Sequence, residues 1–531
     1  MARKVSKHLR LAGVLSVGTG LLLGAAPARA DDYTDLLSLL RAKGSLTQGE
    51  YAGLLSKHVG NAARGTETRR GGRTAEARHG RGVPAGSMAT DDAVAQAQAA
   101  AAAASASAAA AQEAAQSARV ELASPTLVRA SPYVPGKGVE IRVGNIDLNF
   151  SGFVNGFYTY SSAAHSANAV AGGLADNSGF DSSSIRNGLL PAGLIFKAST
   201  TQDGIDLAAE FGVYPGINSA NSGTAFGANG GGSPVGLGTA GVDFRQIFVT
   251  AGTKQFGTVK VGRDIGIFGS DAILSDATLL SVGATGSNAN PANTSLGRIG
   301  IGYIYTDFMP QISYASPIIA GFQATVGAFQ PLDEVNFAGG GLSAVSAAHD
   351  TPMFQGKLTY DYKAGATAAR VWLGGLVQPQ QGFAAVTTTA VRPHDETVGA
   401  GEIGAKIDSG PFGAVGYFYR ARGIGTTGLM FDGVSATGTL RNSEGFYAQG
   451  SYKPVKKLKM VASYGESSLF QAPGENNPTL VRRNAATIGA GYYSLTDWLT
   501  LVAEYAHVQA HNNAGDGIDQ NVFTAGTILF F

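Results

Sequence analysis

Two histidines four residues apart, His507 and His511, are the first pair whose spacing could do chemistry, since shared metal ligation uses such pairs on a helix. On a strand that spacing separates them by about 13 Å. They are therefore expected to flank a loop, and no metal is expected. Other constellations are missing. The chain contains no HExxH, no GxSxG and no P-loop. The glycine-rich stretch from Gly227 to Gly241 lacks the Lys-Ser/Thr ending of a phosphate cradle and reads as a flexible loop. There is no cysteine, which excludes thiolate metal sites and a Cys nucleophile. The expectation is a protein that is not an enzyme and needs no cofactor.

Composition points elsewhere. Of 531 residues only 15% are charged, 75 are glycine, and the net charge is +1. That balance gives no reason to expect nucleic acid as a partner. Mean hydropathy is near zero. A soluble protein gives this value, and so does a membrane barrel whose lipid-facing and water-facing residues alternate and cancel.

The elements that must position any site fall into two parts. Residues 1–30 read as a signal peptide: Arg3, Lys4, Lys7 and Arg10, then an apolar run, then Ala28-Arg29-Ala30 as the cleavage site. Residues 31–60 read as a helical hairpin, with Thr47-Gln48-Gly49-Glu50 as a capping box. Residues 61–87 form an Arg/Gly-rich linker, and a solvated tether is the plainer reading of it. Residues 88–122 form an Ala-rich helix that could join a coiled coil, and 123–138 form a Pro-containing linker. This short helical extension is expected in the periplasm, where it could touch peptidoglycan, an anionic envelope polymer. No later segment has the roughly 20 apolar residues that a membrane helix needs. If the chain spans a membrane, it must do so as a closed barrel.

Residues 139–531 carry that signature. Leu207, Ala209, Phe211 and Val213 alternate with Asp206, Ala208, Glu210 and Gly212. Leu499, Leu501, Ala503 and Tyr505 alternate with Thr500, Val502, Glu504 and Ala506. Connections alternate between short ones, such as Thr253 to Gly257 and Asp408 to Pro411, and long ones, such as Ile265–Asp307 and Gln330–Pro352. An outer-membrane barrel has this rhythm of tight periplasmic turns and long outer loops. The fold class expected is all-β: a transmembrane antiparallel β-barrel of about sixteen strands. The last long connection is expected at Gln509–Gln520. The final run places Phe523, Ala525, Leu529 and Phe531 on one face, and an aromatic ending resembles the signature that barrel-assembly machinery reads. Outer-membrane lipid and lipopolysaccharide are the surroundings such a barrel implies.

One region resembles a known family closely. Arg245 to Gly252, followed by Phe256-Gly257-Thr258-Val259-Lys260-Val261-Gly262-Arg263, resembles the fourth–fifth strand hairpin of general Gram-negative porins. Ile312 to Pro317 with Gly321-Phe322 resembles the turn that follows that family's third loop. The N-terminal extension departs from those classical porins and is similar to that of the DcaP-like, dicarboxylate-channel group. The resemblance implies a homotrimer of water-filled pores for small hydrophilic solutes, each narrowed by an inward-folded third loop. It implies basic wall residues Arg245, Lys260 and Arg263, with Arg298 on wall or loop, opposite loop acids Asp264, Asp271 and Asp276. Lys260 and Arg263 differ in parity, so on a regular strand only one can face inward, and Arg263 is favoured. A channel selective for dicarboxylates or other anions, an envelope tether and an adhesin remain as alternatives.

Overall fold

The computed structural model describes residues 128–218, 242–285, 294–346, 348–384 and 395–531, with six helical positions between 107 and 116. The signal segment with Ala28 and Ala30, the helical hairpin, the Arg/Gly-rich linker and most of the Ala-rich helix lie outside the described residues.

Sixteen strands form the barrel: β1 Ile146–Ser162, β2 Gly193–Gln202, β3 Ile205–Pro215, β4 Val242–Thr253, β5 Gly257–Ile265, β6 Phe308–Ala315, β7 Phe322–Phe329, β8 Met353–Ala364, β9 Thr367–Gln380, β10 Glu396–Ser409, β11 Phe412–Arg422, β12 Asn442–Val455, β13 Leu458–Phe470, β14 Val481–Ser494, β15 Leu499–Asn512 and β16 Gly517–Phe530. Each pairs antiparallel with its sequence neighbour. The sheet closes where β16 pairs with β1, from Asn521↔Ser162 to Phe530↔Phe153. Closure leaves no strand edge in lipid, where an unpaired amide would cost several kcal/mol. Short accessory strands cover the longer β1. Val139–Val143 pairs with Ile146–Phe150 and with Val128–Ala130, so part of the Pro-containing linker is strand. Ser182–Arg186 pairs with Phe157–Ser161.

Polarity is inside-out in the membrane belt. Val249, Val261, Ile312, Val326, Leu373 and Ile403 are exposed on the outside. Polar side chains such as Gln355, Glu402, Gln449 and Glu504 are buried toward the lumen. Alternation puts them there, because a strand that gives one face to lipid must give the other to the interior.

The last outer connection differs from the expected Gln509–Gln520. β15 runs to Asn512 and β16 begins at Gly517. Asn512 closes the turn: its Oδ1 accepts from Ala514 N (3.0 Å) and Asp516 N (2.9 Å). The polar residues expected to form a loop are paired strand. Gln509 Nε2 donates to Asp519 Oδ1 (2.9 Å), and His507 lies 3.0 Å from Asn521 Oδ1.

Candidate functional site

The connection between β5 and β6 folds into the lumen over its described residues, 266–285 and 294–307. It carries helix α1, Ser270–Ser275, and a 3₁₀ turn, Ala277–Leu280. Inward-facing side chains from six strands hold it. On β8, Gln355 Oε1 accepts from Ile267 N (2.7 Å) and Phe268 N (2.9 Å). On β10, Glu402 Oε2 accepts from Gly269 N (2.8 Å). On β12, Tyr447 Oη donates to Ala272 O (2.8 Å), and Gln449 bonds both Ala277 N and Ser275 O. On β13, Ser467 Oγ accepts from Gly302 N (2.8 Å). On β14, Tyr492 Oη donates to Ala277 O (2.8 Å). On β15, Glu504 accepts from Ser281 Oγ and from Val282 and Gly283 N. A non-regular segment buried in a barrel must find partners for its backbone groups, and these side chains supply them.

The loop's acids are held by bases. Asp271 pairs with Lys357 of β8 and with Arg370 Nη1 of β9 at 3.0 Å. Asp276 accepts from Thr278 N (3.1 Å) and Tyr303 Oη (3.0 Å), with Arg298 Nε at 3.7 Å. Arg298 lies on the loop itself, fully buried, donating to Ser463 Oγ (2.8 Å). Asp264, next to the end of β5, binds Lys260 and Gln246 Nε2 (2.9 Å). Arg245 occupies a β-bulge opposite Gly212–Val213 and donates to Asp243 Oδ2 (2.8 Å). Its guanidinium stands 5.4 Å from the Tyr214 ring and 5.6 Å from that of Phe308. Asp307, at the loop's end, accepts from Phe308 N (2.6 Å), and burial raises its carboxyl above the ordinary aspartate value.

Both residues in the parity dilemma line the interior. Lys260 reaches Asp264 on the inner wall, while Arg263 lines a cavity of about 400 Å³ beside Arg245. The strand is not regular between them. Gly262 has φ +138°, and a Cβ there would sit 2.3 Å from Ile247 O. Wall and loop nevertheless meet in a different pairing from the expected one. Arg245 and Arg263 do not bond Asp271 or Asp276, whose partners are Lys357, Arg370 and Arg298. Lys357, Arg370, Glu402 and Glu504 escape the sequence reading. The available signal is a lone ionisable residue on an otherwise apolar alternating strand, as in Gly401-Glu402-Ile403 and Ala503-Glu504-Tyr505.

Of the residues read as an assembly signal, Phe523 is exposed on the outer face. Leu529 pairs with Val154 of β1, and the Phe531 ring lies 6.3 Å from Trp498. Among the described residues no group of His, Cys, Asp or Glu could hold a metal ion.

A family model described as Gram-negative porin matches residues 97–525. Among solved structures, the outer membrane channel DcaP of Acinetobacter baumannii is 16% identical. It covers 75% of this chain and 100% of its own, with a TM-score of 0.53. An anion-selective porin from Comamonas acidovorans is 13% identical, covers 73% of this chain and 100% of its own, and has a TM-score of 0.45. OmpF of Salmonella typhi in complex with daunomycin is 11% identical over 74% of this chain and 100% of its own, with a TM-score of 0.45. No curated protein matches the sequence.

Proposed function

Because the chain belongs to the Gram-negative porin family, we propose that its third loop narrows a water-filled pore that favours small anions, in an assembly of three barrels. The general activity follows from membership: it is an outer-membrane β-barrel channel through which small solutes diffuse passively.

One observation supports the anion preference. The three acids read from the sequence are matched by bases, and lysines outnumber acids in the cavity beneath the loop. Asp264, Asp271 and Asp276 have cationic partners. Arg263 Nε is buried with no hydrogen-bond partner. Beneath the loop, Lys406, Lys453, Lys456, Lys457 and Lys459 line a second cavity of about 450 Å³. A passage with surplus fixed positive charge concentrates anions and repels cations, because field lines focus between low-dielectric walls.

The test is single-channel recording of the purified full chain in a planar bilayer under a potassium chloride gradient. Conductance in groups of three steps is expected, with a reversal potential of anionic sign that moves toward zero in Arg263→Ala. A cation-signed reversal potential overturns the preference. Absence of conductance from a folded, inserted barrel overturns the open pore.

A further inference from the structure

We infer that the constriction is an amphipathic filter, in which two arginines face an aliphatic loop surface, and that it prefers organic anions with an apolar body. This rests on the channel reading above. In the cavity of about 400 Å³, Arg245 and Arg263 stand on the β4–β5 wall. The third loop contributes Ile273, Leu274, Leu279, Leu296 and Ile299 to the same cavity. The loop's acids Asp271 and Asp276 are absent from that lining, being turned to Lys357, Arg370 and Arg298.

Three other carboxylates do line the cavity, and each has a partner. Asp243 holds Arg245, Asp307 accepts from Phe308 N, and Asp333 lies 2.7 Å from His349 Nε2. Arg263 has no such bond through Nε.

Leu274 is the most open side chain of this aliphatic surface. It is 59% exposed, yet it sits on a loop inside the barrel and not in the lipid belt. A large aliphatic side chain open to an aqueous passage gains only if something apolar covers it. Leu274 and Leu279 line both the upper cavity and the lower, lysine-lined one. A solute leaving the arginines therefore crosses two leucines before it meets the lysines. In the lower cavity Asp276 is bound to Arg298, and Lys406 has Asp408 at 4.0 Å.

A compact anion can use the charges but not the leucines. An anion with a ring or branched chain uses both, since each methylene-sized patch removed from water is worth about 4-fold in an equilibrium constant. Charge at one end and hydrocarbon at the other, as in an aromatic monocarboxylate, matches the two walls.

The experiment compares potassium benzoate with potassium acetate across the full-length channel, reading their permeability ratio from bi-ionic reversal potentials. In a purely aqueous sieve, benzoate, being larger, passes less readily, so the ratio is below one. The filter predicts a ratio above one, roughly 3 to 10 from one or two methylenes' worth of contact. The ratio should fall to one or less in Leu274→Ser/Leu279→Ser. A wild-type ratio at or below one overturns the filter while leaving the anion channel intact. So does a high ratio that the double serine variant leaves unchanged. If the inserted barrel conducts nothing, the channel reading itself falls and the filter with it.

Discussion

Along β15 and β16 two regions share one ladder but turn different outer faces to their surroundings. In the lower part, Leu501, Ala503 and Tyr505 are exposed while Glu504 is buried. Above Tyr505 the pattern turns over. His507, Gln509 and His511 stand on the outer face, and Ala506, Val508 and Ala510 are fully buried. The upper interior packs Val508, Ala510 and Ile518 against Leu174 and Ala175 of the first outer loop. The period of two never changes along the strand; the solvent does. Lipid bathes the lower outside and water the upper outside, so the same pleat turns its outer face from apolar to polar.

The outer region depends on Arg441, which has no exposed surface. It binds Glu475 of the seventh outer loop, Ser343 Oγ (2.9 Å) and Leu342 O (2.6 Å) of the fourth, and Asp432 O (2.9 Å) of its own. Cutting that tie should have the largest effect. Arg441→Ala strands a buried carboxylate and should cost the outer layer about 3–5 kcal/mol. Faster proteolysis of loops 330–352 and 423–441, with barrel heat resistance retained, is the expected result; unchanged proteolysis counts against the tie.

The reversal itself is tested by one substitution at two heights. Leu501→Arg puts a cation on the lipid face and should destabilise the barrel by about 2–4 kcal/mol. Gln509→Arg, eight positions up the same strand, should stay within about 0.5 kcal/mol. Urea unfolding in lipid vesicles measures both, and similar costs at the two sites would mean that lipid does not end between them.

Making the lower interior resemble the upper one is the next step down. Glu504→Leu removes the acceptor for Ser281, Val282 and Gly283 of the third loop. A cost of about 1–3 kcal/mol is expected, with noisier and larger single-channel currents. Currents identical to wild type would show that the loop holds its place without Glu504.

The smallest effect is a pH dependence of two signs in the outer layer. Glu334 is fully buried, Oε2 has no partner, and burial together with Asp432 raises its carboxyl well above the ordinary value. Its folded form therefore takes up a proton, and stability falls as pH rises from the ordinary carboxylate value toward the raised one. Burial also disfavours the charged form of Glu475, but Arg441 outweighs it and holds that carboxyl low. Its contribution is present above the ordinary value and is lost on acidification below it. Glu334→Gln should remove the first trend and stabilise the layer at neutral pH by about 1 kcal/mol. Hydrogen exchange of loops 330–352 and 471–480 against pH reads the two separately; trends of one sign in both would contradict the assignment.

How far the chain is legible from its residues alone follows the same divide. In the belt, hydrophobic alternation and tight turns locate the strands, since lipid makes the outer face uniformly apolar. Above the belt, His507, Gln509 and His511 look like loop because polar residues on both neighbouring strands erase the apolar cue. At the site, Arg245 and Arg263 stand out in the sequence, but the parity rule misleads at Lys260 because Gly262 bends the strand. Lys357, Arg370, Glu402 and Glu504 stay hidden because their partners lie on the third loop, far away in sequence. No periodicity links a strand residue to a loop that only the closed barrel brings near.

The third loop, bonded to six strands around the wall, has a mechanical consequence. A thin-walled hoop under sideways pressure flattens most easily when nothing crosses it. Here α1 and the turn after it act as a strut, anchored by Gln355 at one side and by Glu504 at another. Squeezing the ring in the membrane plane must compress or shear those bonds before the wall can ovalise. The segment that narrows the passage therefore also sets its cross-section under lateral load.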